Sequence, residues 1–299
     1  MPAYNREDFI GRALDSVVGQ LHQADEIIVV DDGSTDRTVE IARAYGSRVR
    51  VIEAAHAGAG VARNLGVASA RSDFVAFLDS DDFWEPEHLA RLSDAITATD
   101  GRASIYFSDC RIEDGHGGGT FWSNAKFSTD GAWEFREHDK EWLFAPVQPI
   151  VITAAAFQRS AYLAAGGSDS ELSRRGDTHL IFKIGLDGPL CAVPGVASTW
   201  TAEASNSLTR QLMPEHPTYL HSTVYLYADL LQRFALTREQ QKILRRRLAA
   251  AHYGLVRRAD DGRAFPRIVH FGKAIRLDPG GLRIRVGRML RRRIALRPS

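Results

Sequence analysis

The chain has 299 residues, 44% of them hydrophobic and 25% charged, with a formal net charge of +1. This ordinary composition excludes a disordered or fibrous chain and leaves room for a full α/β core with a smaller appendage. The near-zero charge argues against a whole-molecule field for nucleic acid, and Cys110 and Cys191 lack the spacing of a zinc site or disulfide framework.

Phe9, Ile10, Ala13, Leu14, Val17, Val18 and Leu21 recur with helical period, and Asn5 followed by Asp8 predicts a capped helix running from Arg6 to Leu21. Apolar runs predict strands at 27–31, 49–53 and 74–79, with helices at about 35–46 and 58–70 between them. That alternation is the pattern of a parallel sheet with crossover helices, in which ligands collect at the carboxyl ends of the strands. A helix at about 86–99 follows, then a β-hairpin built on 103–112 with a Gly-rich turn at 115–119, and a strand at 149–154. From about Thr218 the pattern is helical to the end, with breaks near Leu236, Gly262 and 278–281. The expected division is a catalytic domain over 1–217 and a basic helical extension over 218–299.

Four polar clusters mark the candidate site. Pro2-Ala3-Tyr4-Asn5 offers a tyrosine that can stack on a base or simply pack on the sheet. Asp31 and Asp32, at a strand end, can accept hydrogen bonds from a base N–H or ribose hydroxyls, whereas helix capping explains only Ser34 and Thr35. Gly58-Ala59-Gly60 resembles a dinucleotide fingerprint, but Arg63 stands where the third glycine belongs, so nicotinamide binding is disfavoured. Arg63 can instead reach a phosphate or base carbonyl, or form an ordinary ion pair. Asp79, Asp81 and Asp82 are three acids within four residues after an apolar strand. They repel one another and need a cation, and all-oxygen ligation suits Mg²⁺ or Mn²⁺.

PAYN, IIVVDDGSTDRT, AGVARNLG and FVAFLDSDDFWEP, in this order and spacing, resemble the motifs of the family 2 glycosyltransferases, with FQRSAYLAAGGSDSEL at 157–172 as a looser continuation. The resemblance implies an A-type glycosyltransferase fold, a mostly parallel twisted sheet flanked by helices. It implies inverting, metal-dependent sugar transfer from a nucleotide-diphosphate sugar to a saccharide or lipid-linked acceptor, in cell-surface polysaccharide or glycoconjugate synthesis. By the same resemblance Ala3, Tyr4, Asp31 or Asp32, and Arg63 contact the nucleotide, and Asp79 faces the ribose or donor sugar. Asp81 ligates Mn²⁺ or Mg²⁺ with Asp82 as helper, and Asp177 is the matching base, with Asp169 and Glu171 next in line. Three positions depart from the family pattern: Ser168, Gly176 and Thr178. Members of the family carry a buried strand ahead of PAYN, so the resemblance also implies a longer polypeptide upstream of Met1.

Two rivals stand beside this reading. Nucleotidyl transfer is disfavoured, because no Gly-rich phosphate loop with lysine follows the first strand. A catalytically inactive nucleotide-sugar-binding protein is the alternative. The leaderless start and unpaired cysteines predict a cytoplasmic protein. Arginines 283, 285, 288 and 291–293 alternate with apolar residues between Leu282 and Leu296, a pattern that fits peripheral contact with the inner face of an anionic membrane as well as packing on the catalytic domain.

Overall fold

The computed structural model describes residues 1–113, 118–172, 174–201, 216–258 and 264–279. The chain divides into two compact units, Met1–Glu171 with Gly176–Arg210, and Leu172–Arg175 with Gln211–Ser299.

The first unit opens with β1 (Pro2–Ala3), α1 (Ile10–Val18), β2 (Ile28–Asp31), α2 (Thr38–Arg43), β3 (Arg50–Glu53) and α3 (Ala59–Ser69). The three strands pair in parallel in the order β1-β2-β3, with Pro2 beside Val30 and Val29 beside Val51. The expected helix from Arg6 starts only at Ile10. Asn5 takes a left-handed φ of 49°, and its side-chain oxygen accepts a bond from Thr35 N at 2.8 Å, so it ties two loops together rather than capping a helix. The apolar face of α1 packs Ile10 and Leu14 on Ala3 and Val29, and Ala13 and Val17 on Leu78 and Trp84.

Next come β4 (Phe74–Ala76), β5 (Phe83–Trp84), α4 (His88–Ala98), β6 (Ile105–Glu113), β7 (Gly119–Thr120), α5 (Phe121–Ala125), β8 (Glu134–Arg136), α6 (Glu141–Phe144), β9 (Ala155–Gln158), α7 (Arg159–Ala164), α8 (Gly176–Asp187) and β10 (Leu190–Thr201). These strands form a second sheet in the order β4-β9-β6-β10-β5, with β7 beside β6 and β8 beside β10. The β6–β10 pair is parallel and the others are antiparallel, so parallel pairing belongs to the first sheet and to this one central pair. The expected β6–β7 hairpin is present, with residues 114–117 of its turn outside the described set. The strand expected at 149–154 begins at Ala155, because Ile152–Ala154 form a single 3₁₀ turn.

A cavity of about 560 Å³ lies between the two sheets, lined by Met1, Ile28, Val30, Phe74, Ala76 and Leu78 among others. The Met1 amine donates to Ile28 O at 2.8 Å, and burial holds it down at about 5.

The second unit contains α9 (Pro217–Arg233), α10 (Arg238–Arg258) and α11 (Ala264–Leu277). Pro217 stands at the first helical position of α9, and the break expected near Leu236 separates α9 from α10. Within this unit Arg175 donates to Thr223 and to the Tyr227 hydroxyl at 3.2 Å. The break expected at Gly262 and the basic segment Leu282–Leu296 lie outside the described residues.

Candidate active site

The strands of the first unit end in a shared polar edge, and its geometry follows from what each strand end must satisfy. At the end of β2, Asp31 Oδ2 accepts Ser34 N at 3.0 Å, while its buried Oδ1 has no partner among the described residues. Asp32 faces the opposite loop. Its Oδ1 accepts Ala57 N at 2.7 Å and its Oδ2 accepts Gly58 N at 2.9 Å, with His56 Nδ1 at 3.0 Å from the same Oδ2. Gly58 has φ 95°, a conformation that costs glycine little and lets the two amides converge on the carboxylate. Ala3 is buried, and its carbonyl accepts Asp32 N at 2.8 Å; the half-exposed Tyr4 ring stacks on His56 with centroids 4.2 Å apart.

Beyond β4, Phe77 and Leu78 are buried and the chain then turns through Asp79, Ser80, Asp81 and Asp82. Asp79 Oδ1 accepts Arg63 Nη2 at 2.6 Å, and the other arm of the same guanidinium, Nη1, donates to Asp177 Oδ1 at 2.9 Å. Arg63 is 7% exposed on α3. Burial lowers its pKa, but the two carboxylates outweigh this and hold the guanidinium above its usual value, so it is a fixed cation. Asp177 sits in the first turn of α8, its side chain 42% open to solvent. Crowding by protein atoms raises its carboxyl, Arg63 lowers it and Asp79 raises it again, with a net shift upward.

The residue after Arg63 makes a second tie. Asn64 Nδ2 donates to Ser168 O at 2.8 Å, and its Oδ1 accepts Ser168 N at 2.8 Å and the Tyr162 hydroxyl at 2.7 Å. Gly167, at φ 66°, has no room for a side chain, since a Cβ there would lie 2.4 Å from Asn64 Oδ1. The buried Lys183 of α8 donates to Ala165 O and Gly167 O at 2.9 and 2.7 Å and holds the same turn from beneath. Asp169, upstream of Asp177, accepts Glu171 N at 3.0 Å within its own loop.

Asp81 and Asp82 turn toward a different set of partners. Asp81 Oδ2 lies 3.6 Å from Arg6 Nε, and the Asp81 carbonyl accepts Thr201 Oγ1 at 2.5 Å and Arg12 Nη2 at 3.2 Å. Asp82 Oδ1 accepts Thr201 N at 3.1 Å. Burial and then the neighbouring Asp79 raise the Asp81 carboxyl, and the same causes with Asp81 added push Asp82 up to about 9. Two carboxyls raised by desolvation and mutual repulsion form a hard-oxygen set short of positive charge, which a divalent cation satisfies. Among the described residues no three acid, imidazole or thiol side chains form a ready-made cage. A site for Mg²⁺ or Mn²⁺ does not need one, because such ions are held by one or two carboxylates plus phosphate oxygens and water.

The structure thus brings Arg63, Asp79 and Asp177 into one hydrogen-bonded line, with Asp81 and Asp82 on the adjoining turn, and places Ala3, Tyr4, Asp31 and Asp32 at the neighbouring ends of β1 and β2. Sequence reading missed Arg6, His56, Asn64, Lys183 and Thr201. The one available signal was a lysine within the apolar run after Asp177, which is rarely buried without a partner.

A family model described as "Glycosyl transferase family 2" matches residues 1–162. The chain belongs to glycosyl transferase family 2. Within this family it is 42% identical over 94 residues, 30% of this chain and 37% of the relative, to the putative teichuronic acid biosynthesis glycosyltransferase TuaG of Bacillus subtilis. Matches of this kind span 14% to 37% of the length of the curated relatives. Across 93% of the chain and 79% of the other, the fold is similar to that of S. aureus TarS 1–349 in complex with UDP, with a TM-score of 0.67 at 19% identity. It is also similar to the mannosyltransferase PcManGT from Pyrobaculum calidifontis in complex with GDP-Man and Mn²⁺, with a TM-score of 0.57 at 17% identity over 93% and 78% of the two chains. These likenesses establish the A-type glycosyltransferase fold of this family 2 member, with its α/β core and C-terminal helices. No helix among the described residues is long and apolar enough to cross a membrane.

Proposed function

We propose that this chain transfers a sugar from a nucleotide-diphosphate donor to an acceptor hydroxyl with inversion, within polysaccharide or glycoconjugate synthesis, and that Asp177 is the base. The observation that carries the reading is the Arg63 bridge, one guanidinium bonded to Asp79 through Nη2 and to Asp177 through Nη1. In this reading Asp79, which follows the strand leading into the acidic turn, faces the donor, and Asp177 in the first turn of α8 serves the acceptor. The base takes the hydroxyl proton as the acceptor oxygen forms its bond to the anomeric carbon. The bond from that carbon to the diphosphate oxygen breaks on the far face, and the nucleoside diphosphate leaves with the electron pair.

Each residue has a part that its surroundings support. The buried Asp31 Oδ1 has no partner among the described residues and can accept a ribose hydroxyl or base N–H, as can the lone pair left on Asp32. Ala3 and Tyr4, at the end of β1, contact the nucleotide in this reading, and Arg63 adds a fixed positive charge. Asp81, helped by Asp82, would hold Mn²⁺ or Mg²⁺. When bound, the ion supplies Lewis-acid stabilisation of the charge that develops on the departing diphosphate. The expected division into a catalytic domain over 1–217 and a helical extension over 218–299 is part of this reading, and so is contact of the basic C-terminal segment with an anionic membrane from the cytoplasmic side.

The test is a screen of nucleotide sugars by thermal shift with and without Mn²⁺, followed by a donor-turnover assay of wild type and Asp81→Ala. Donor binding raises the melting temperature by mass action. Asp81→Ala abolishes metal-dependent release of nucleoside diphosphate. Unchanged turnover at saturating donor and metal would overturn the assignment, and a wild type that binds donor without releasing nucleoside diphosphate would be a binding protein.

A further inference from the structure

The helix α10 carries a line of cations along its open side. With 3.6 residues per turn, Arg238, Lys242, Arg245 and Arg246 fall on one face, away from the buried Leu244, Leu248 and Leu255. All four side chains are exposed. Lys242 Nζ lies 3.4 Å from Glu239 Oε2, whereas no ion pair of Arg238, Arg245 or Arg246 occurs among the described residues. Like charges three and four positions apart destabilise a helix, and a cation in the first turn, as Arg238 is, also opposes the helix dipole. The fold gains nothing from this arrangement, and a bound anion would relieve it.

The cations border a hollow. Arg238, Gln241, Lys242, Arg245 and Arg246 line a cavity of about 430 Å³, and Leu277 and Asp278, at the end of α11, complete its lining. The start of α10 is already capped, because Gln240 N donates to Thr237 Oγ1 at 3.2 Å and Thr237 N donates to Gln240 Oε1 at 2.9 Å. The side chains, and not the helix terminus, therefore supply the positive charge. Against the acids Glu239 and Asp278 the four cations keep an excess of about two charges, which matches a phosphate monoester near neutral pH. Guanidinium groups suit phosphate because their paired N–H donors meet two of its oxygens at once. Asp278 repels a second phosphate but accepts hydroxyl groups, and Leu277 offers apolar surface to the C–H face of a sugar ring. A lipid surface asks for a different arrangement, with cations flanking an apolar face that enters the bilayer.

We propose that this groove is a second binding site, which takes a phosphorylated saccharide with Arg238, Arg245 and Arg246 on the phosphate and Asp278 on the sugar hydroxyls. Resting on the sugar-transfer reading above, that saccharide belongs to the acceptor.

The experiment is isothermal titration of the full chain in EDTA at low salt with glucose 1-phosphate, inorganic phosphate and glucose. EDTA removes metal-dependent binding at the acidic turn. Wild type, the double variant Arg238→Gln/Arg245→Gln, and Asp278→Asn are compared, and each is also sedimented with phosphatidylglycerol vesicles. Wild type binds glucose 1-phosphate more tightly than phosphate and shows no saturable binding of glucose. The double variant weakens glucose 1-phosphate about tenfold or more, the worth of charge-assisted hydrogen bonds, at an unchanged melting temperature. Asp278→Asn removes the preference for glucose 1-phosphate over phosphate. The inference is overturned if glucose 1-phosphate does not bind, if phosphate binds wild type as tightly, or if the double variant binds as wild type does. It is also overturned if the two arginines govern vesicle sedimentation and not glucose 1-phosphate affinity, which would make this face a membrane contact. A wild type that binds glucose 1-phosphate but none of UDP, GDP, CDP and ADP with Mn²⁺ overturns the donor reading alone.

Discussion

Arg63 Nη1 lies 2.9 Å from Asp177 Oδ1, joining two side chains 114 positions apart in the sequence. The contact gives Asp177 a partner that a helix cap does not have, and it sets two roles against each other. If Asp177 is the base, Asp177→Asn keeps the size and most hydrogen bonds of the residue, so the melting temperature and donor affinity stay near wild type while transfer falls by ~10²-fold or more. Loss of transfer only in step with loss of folded protein would make Asp177 a structural partner of Arg63.

Removing the guanidinium has a directional effect on pH dependence. Arg63 lowers the Asp177 carboxyl, and crowding and Asp79 raise it. With Arg63→Gln only the raising influences remain, so Asp177 stays protonated to higher pH and the acid limb of the transfer profile moves up. A pH–rate profile with its acid limb unmoved, on a variant shown to be folded, would detach Asp177 from that limb.

Asp82 makes the protein's stability depend on pH. Its carboxyl is pushed up to about 9, above its unfolded value, so the folded state holds a proton that the unfolded state releases. The stabilisation is complete below the unfolded value near 3.8 and is lost as pH rises toward 9. Asp82→Asn accordingly raises the melting temperature at pH 8 by about 3 °C or more and changes it little at pH 4. Equal shifts at both pH values in differential scanning calorimetry would show that the carboxyl is not the cause.

Arg6 Nε lies 3.6 Å from Oδ2 of Asp81, the carboxylate proposed to hold the metal. A cation binding Asp81 competes with this pair. Arg6→Gln therefore tightens Mn²⁺ binding about two- to fivefold, the range of a partly screened ion pair, as measured by isothermal titration. Weaker binding in the variant would assign Arg6 to the site's support instead.

Local patterning carried much of this molecule. β-Branched runs ending in acids placed β2, β3 and the start of β4, and apolar periodicity placed α1, α3 and α4 to within a few residues, because these elements bury one face whatever their neighbours do. The acidic turn at 79–82 was legible for the same reason, since three adjacent carboxylates repel wherever the chain leads. Asn5 misled because a helix cap and a loop staple use the same side-chain oxygen, and only the approach of Thr35 decides between them.

What the tertiary structure decided is the pairing of groups remote in sequence. Arg63 as a bridge between Asp79 and Asp177, Asn64 as a clamp on Ser168, Thr201 under Asp81 and Asp82, and His56 against Asp32 all join separate strand ends or loops. The sequence by itself determined which residue types stand at the ends of its strands, because hydrophobic period is a local property. Which acid is paired, which is left with an open lone pair and which is raised by burial depends on distances that exist only after the sheets and helices have packed, since charge interactions and desolvation are set by geometry in space and not by order along the chain.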